Sequence, residues 1–246
     1  MSNNIVQRSL SAPILLLLSI LTITACLPSG ASGARGRYAP SLKAGAQCDV
    51  AISALHPTQF AIGYWEIDQR AKQVLHKKPK KLVEYMEEHV GQIVIGPGGE
   101  PYIIDRHHLA FLMQRTRLSA TIPVIVEANF SNLTMDNFWK EMAARKWVYL
   151  YDGHGKGPLD TRLLPKKIQD LEDDPFRSLA WAVREQGGYD KTDEPFAEFQ
   201  WADFFRNRLI ISADSPIDRI LPEALKMCHS AAAHGLPGFI EDTGAR

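Results

Sequence analysis

The segment Gly96-Pro97-Gly98-Gly99-Glu100-Pro101-Tyr102-Ile103-Ile104-Asp105-Arg106-His107-His108-Leu109-Ala110 constrains the fold more than any other part of the chain. Val94-Ile95 close one apolar run and Tyr102-Ile103-Ile104 form the next, which reads as strand, turn, strand. The turn between them consists of glycines, which accept positive φ, and prolines, which fix it. Beyond it, Leu109, Leu112 and Met113 recur at helical spacing, so the pattern predicts a helix over residues 106–117 with Asp105 as its N-cap.

Such a helix start carries free N–H groups and a partial positive charge. With Arg106, His107 and His108 beside it, the site suits phosphate or another anion. Arg106 has the planar fork for two parallel contacts to phosphate. His107 and His108 serve either as cationic phosphate contacts or as acid/base groups near neutral pH. Asp105 either caps the helix only or ligates a divalent cation such as Mg²⁺, which takes one or two carboxylates and completes its shell with phosphate oxygens. The competing account makes the histidines packed or solvated residues, since neighbours on a helix point about 100° apart.

The segment resembles the phosphate-holding strand–turn–helix of the ParB/sulfiredoxin superfamily, and in particular its ParB-like nuclease group. The resemblance also rests on His56-Pro57-Thr58-Gln59, Gly63-Tyr64-Trp65-Glu66, Asp174-Pro175-Phe176-Arg177-Ser178-Leu179-Ala180 and Phe196-Ala197-Glu198-Phe199-Gln200-Trp201-Ala202. It spans residues 51–238. It implies a small mixed α/β sheet with helices, the α+β class, followed by a mainly helical C-terminal part. It also implies a site for a nucleotide, a nucleic acid or another phosphate ligand. Related kinases use an acid from the first strand–loop region as general base, which by position makes Glu66 the candidate. Its other reading is a surface acid paired with Arg70 four residues on. Two departures stand out. Residue 106 is Arg where the kinase-like and sulfiredoxin-like branches have Gly or Cys, and no Cys lies in the motif, which speaks against sulfiredoxin chemistry.

The N-terminus reads as an export signal. Arg8 supplies a weak positive region, residues 12–23 are apolar but short for a membrane span, and Ile23-Thr24-Ala25-Cys26 resembles a lipobox. Residues 1–26 are then a lipoprotein-type signal with Cys26 as the lipidated residue. Leu27, rather than Asp, after the Cys directs a Gram-negative lipoprotein to the outer membrane of the envelope. The alternative is ordinary cleavage near residues 30–33 and a soluble periplasmic or secreted protein. Acyl chains anchor strongly, at about 0.8 kcal/mol per buried CH₂. Cys48 and Cys228 remain, and an oxidising compartment permits a disulfide between them or leaves two buried thiols.

Residues 27–49, rich in Ser, Gly, Ala and Pro, read as a flexible tether. Residues 50–129 read as the α/β domain. Residues 130–246 read as a helical part packed on it, with helices over 134–145, 165–171, 175–186, 196–209 and 216–234. The aromatics Phe196, Phe199, Trp201, Phe204 and Phe205 read as core rather than as a base-stacking platform. Asp152-Gly153-His154-Gly155 reads as a surface loop, with His154 an alternative partner of the motif histidines around a metal.

The 28 basic and 28 acidic residues balance, so no broad basic face for duplex nucleic acid is evident. The exception is Lys77-Lys78-Pro79-Lys80-Lys81, which reads as a solvated helix start. Two functional classes follow. One is a phosphodiester hydrolase or phosphotransferase with Glu66, Asp105 and His108 as catalytic groups. The other is a non-catalytic envelope binding module that keeps the fold. Export counts against chemistry that consumes nucleoside triphosphates.

Overall fold

The computed structural model describes residues 35–214 and 216–241. Its chain order starts with strands β1 (Gly36–Arg37), β2 (Gln47–Ala51), β3 (His56–Pro57) and β4 (Ala61–Ile62), then helices α1 (Tyr64–Val74) and α2 (Pro79–Glu87). It continues with β5 (Gly91–Ile95), β6 (Pro101–Asp105), α3 (His107–Thr116), β7 (Thr121–Asn129) and α4 (Met135–Ala144). β8 (Glu172–Asp173), α5 (Pro175–Glu185), α6 (Ala197–Arg206) and α7 (Ile217–Cys228) complete it.

The main sheet has the order β1-β2-β7-β5-β6-β3. β5 runs antiparallel to β6 and parallel to β7, which makes the sheet mixed. The period-2 alternation of β5 decides its place. Ile93 and Ile95 face the apolar cluster that holds Ile67 of α1 and Leu109, Leu112 and Met113 of α3. Val94 faces the opposite cluster, with Tyr102 and with Phe138 and Met142 of α4. A strand covered on both faces must be apolar throughout, and all three of these residues are fully buried. The Gly/Pro turn before β6 is left-handed at Gly98 and Gly99, with φ of 73° and 80°. A Cβ on Gly99 would stand 2.6 Å from Pro40, so the chain preceding β2 packs directly on this turn. The third cluster joins α5, α6 and α7, with Trp201 and Phe205 at its centre. The aromatic residues of α6 are therefore mainly core, while Phe196 and Phe199 reach a cavity wall.

Several expectations are corrected. The tether expected over 27–49 is already sheet from Gly36. Asn129 ties this stretch down by donating from Nδ2 to the Pro40 and Leu42 carbonyls at 2.9 and 2.8 Å. The described residues form one compact unit, with the helical C-terminal part packed on the α/β part as expected. The helix expected over 165–171 is a single one-turn 3₁₀ segment, Ile168–Asp170, and another, Thr161–Leu163, precedes it. Seven residues behind a proline are too few to propagate a helix, and packing of Leu164, Ile168 and Leu171 decides instead. The Cys48–Cys228 cross-link is not made: both thiols are free and buried, in different apolar clusters. Cys26, the signal segment and residues 27–34 lie outside the described residues. Among the described residues no helix is long and apolar enough to cross a membrane.

Candidate functional site

Three helix starts build the site. α1 begins after Gly63, whose N–H donates to His108 Nε2 on α3 at 3.3 Å. In the first turn of α1 the Glu66 N–H donates to Ser178 Oγ on α5 at 3.2 Å. Gly63 has to be Gly, because a Cβ there would lie 2.3 Å from that same Oγ. α5 begins on Asp174, whose carboxylate accepts from the Phe176 and Arg177 N–H groups at 2.9 and 3.1 Å, with Pro175 at N1. Asp174 is itself clamped by Arg206, with contacts of 3.2 and 2.8 Å. The Asp-Pro-Phe-Arg motif thus caps a helix at one end and aims Arg177 into the site at the other.

Glu66 is the hub. Its side chain is 2% exposed; Oε1 accepts from Arg70 Nε at 2.8 Å and Oε2 from Arg177 Nη1 at 3.2 Å. The pair with Arg70 forms as the helical spacing suggests, but buried rather than at the surface. His108 Nε2 lies 3.2 Å from the same Oε2. Arg177 also approaches Glu198 at 3.6 Å, and Glu198 is bonded to Arg184. Acid and guanidinium therefore alternate from Arg70 through Glu66, Arg177 and Glu198 to Arg184.

The two histidines differ. His107 is buried; its Nε2 accepts the Thr58 N–H at 3.2 Å, and it makes a further hydrogen bond to the Ile103 backbone. Burial, aided by His108, lowers its pKa to about 3, so it is a neutral staple between the His-Pro-Thr-Gln turn and β6, with neither nitrogen left for phosphate. This corrects its expected phosphate contact. His108 is also held neutral, first by burial and then by Arg177, Arg70 and Arg184, so its contact with Glu66 is no ion pair. One nitrogen cannot both accept from Gly63 and donate to Glu66. With its proton on Nε2 the ring donates to Glu66 and keeps Nδ1 as a base; with the proton on Nδ1 it accepts from Gly63.

Asp105 is the last residue of β6 and not the helix cap. Its Oδ1 accepts the Arg106 N–H at 2.7 Å, and Oδ2 lies 3.6 Å from Arg106 Nε. The cap position is Arg106, in the left-handed region at φ 69°, ψ 29° with no side-chain cap bond. A non-glycine residue held there costs roughly 1–2 kcal/mol.

Glu66, Asp105, Arg106, His108 and Arg177 share one cavity of about 580 Å³. Seven cationic side chains line it against six anionic ones, and both histidines are neutral. Glu66 and His108 converge; Asp105 stands at the rim, half exposed, against Arg106. Gln59 also lines the cavity, with Nε2 donating to the Ala61 carbonyl at 2.7 Å. His154 is exposed and does not join them; its loop is an Asx turn on Asp152. On two of the guanidiniums, Arg106 Nε and Arg177 Nε are buried and make no hydrogen bond. Among the described residues no three His, Cys, Asp or Glu side chains stand together as metal ligands. Asp105 faces Arg106 and Glu66 faces two arginines, so this donor set does not fit a protein-held divalent cation. Arg177, Arg184 and Glu198 had no role in the sequence reading; the motif Asp174 to Ala180 held the one signal for Arg177.

A family model described as "Putative ParB-like nuclease" matches residues 48–207. Among solved structures, the crystal structure of protein Atu1540 from Agrobacterium tumefaciens is similar, with 37% identity and a TM-score of 0.70. The match covers 79% of this chain and 98% of that one. No curated protein matches the chain.

Proposed function

The chain belongs to the ParB-like nuclease family, and from that premise we propose that it binds a phosphate-bearing ligand, a nucleotide or nucleic acid, in the Arg106–Arg177 cavity and hydrolyses a phosphodiester there. One observation carries the reading: two guanidinium N–H groups, Arg106 Nε and Arg177 Nε, are buried without a hydrogen bond beside the same cavity, with only the Asp105 carboxylate 3.6 Å from the first. An unsatisfied buried donor costs about 1–3 kcal/mol, and a phosphate oxygen would satisfy either. In the tautomer that donates to Glu66, Nδ1 of His108 takes a proton from an attacking water as the water oxygen bonds to phosphorus; the bond from phosphorus to the leaving oxygen breaks, and that oxygen receives the proton from His108. Glu66 then orients His108 together with the two arginines, and Asp105 orients Arg106.

The non-catalytic binding module is the second reading. It is favoured by the engagement of both Glu66 oxygens and of His108 Nε2 by neighbouring groups. Turnover of a chromogenic phosphodiester that falls at least tenfold in His108→Ala supports hydrolysis. Binding without turnover in the wild type supports the module.

Arg106 separates binding from folding. Calorimetry with a nucleoside monophosphate should show Arg106→Ala and Arg106→Gly both binding about ten- to a hundredfold more weakly. Arg106→Gly, relieved of its left-handed strain, should gain up to about 1 kcal/mol in urea denaturation. Wild-type affinity in both variants would contradict the assignment. The export reading gives the protein an envelope location, with membrane attachment through Cys26. Palmitate labelling lost in Cys26→Ala supports it, and labelling retained contradicts it.

A further inference from the structure

A second cavity, of about 780 Å³, opens beside the first. The two share Arg70, Arg106, Arg184, Tyr189, Asp190 and Lys191, so they form one continuous trough. Five cationic side chains line the second cavity against three anionic ones. Lys77, from the basic run ahead of α2, places its Nζ 5.6 Å from the centre of the Tyr85 ring. Tyr85 in turn lies 4.4 Å, ring to ring, from His89. His89 Nδ1 donates to the Tyr85 carbonyl at 2.7 Å, which leaves its Nε2 free of that bond. Arg70 lines both cavities, bonded to Glu66 and to the Tyr85 side chain.

The first cavity alone has the volume of a small-ligand site. A monophosphate would leave the second, cationic and aromatic stretch unused. We infer, resting on the phosphate reading above, that the ligand is a single-stranded oligonucleotide: one phosphate lies at Arg106 and Arg177, and the strand continues past Arg184 and Lys191 to Lys77 and the Tyr85–His89 pair. Single strands bind by cations that track the backbone together with rings that meet the bases, which is this composition. Duplex needs a broad basic face, and a chain with equal numbers of acidic and basic residues does not supply one.

Fluorescence anisotropy on the full-length protein tests this with three labelled probes: a nucleoside monophosphate, a single-stranded octanucleotide and the matching duplex. The octanucleotide should bind at least tenfold more tightly than the monophosphate and than the duplex. Lys77→Ala/His89→Ala, at two residues that line only the second cavity, should weaken the octanucleotide about tenfold and leave the monophosphate unchanged. The salt dependence of octanucleotide binding should fall by about 0.7 in log–log slope for each phosphate that the variant no longer neutralises. An octanucleotide no tighter than the monophosphate, or a variant that weakens both probes equally, overturns the trough but spares the phosphate site. Equal affinity for duplex overturns the single-strand assignment. If the wild type binds none of the probes, the phosphate reading itself fails, and this inference with it.

Discussion

Glu66→Ala should destabilise the protein by about 3–5 kcal/mol, the range for removing one partner from a buried ion pair. The carboxylate holds Arg177, 8% exposed, and Arg70, 22% exposed. Without it, Arg177 keeps the 3.6 Å approach to Glu198 and the Phe199 ring 5.6 Å from its Cζ, and three cations remain around a neutral histidine. Arg70 reaches water, so most of the loss comes from Arg177. Glu66→Gln keeps the shape and should recover only part of the loss, because the charge is what two guanidiniums require. Adding Arg177→Met to Glu66→Ala should restore more, since the orphaned cation goes with it. Urea denaturation with unchanged m-value measures each. A loss below about 1 kcal/mol in Glu66→Ala would mean that the hub does not hold α1 and α5 together.

Acid should unfold the protein early. His107 titrates at about 3 in the fold against 6.5 in the unfolded chain, and His108 is lowered as well. Both ionise more readily unfolded, so their contribution is complete above about pH 6.5 and is lost as pH falls, for His107 down to about 3. His107 removes about 1.4 kcal/mol per pH unit inside that window, and His108 adds a loss of the same sign. Urea midpoints at pH 7, 6 and 5 should fall steeply, and His107→Asn should lessen the slope. Stability unchanged down to pH 5 would show that the histidines are solvated and charged in the fold.

Much of this was legible in the chain. The Gly96–Ala110 segment gave turn, strand and helix because period-2 apolar residues, then helical spacing, flank a turn only glycine and proline would make. The opening strands were not legible: Gly36–Arg37 sits in a Ser-, Gly- and Pro-rich stretch and is held by pairing with β2, and the short Gln47–Ala51 is held by pairing with β7. Nor was the left-handed Arg106, since no local signal marks an arginine for φ of 69°. At the site, helix spacing predicted Glu66–Arg70. Glu66–Arg177, 111 residues apart, needed the packing of α5 on α1, because sequence separation hides any contact that only tertiary structure creates. The histidine pair was legible as chemistry but not as roles: only burial makes His107 a neutral staple and leaves His108 at the carboxylate.

The most direct test of the central claim is a crystal structure of the protein soaked with a nucleoside monophosphate. Phosphate oxygens at about 2.7–3.2 Å from Arg106 Nε and Arg177 Nε are the predicted result. Phosphate bound away from both guanidiniums, or no phosphate bound at saturating concentration, would contradict it.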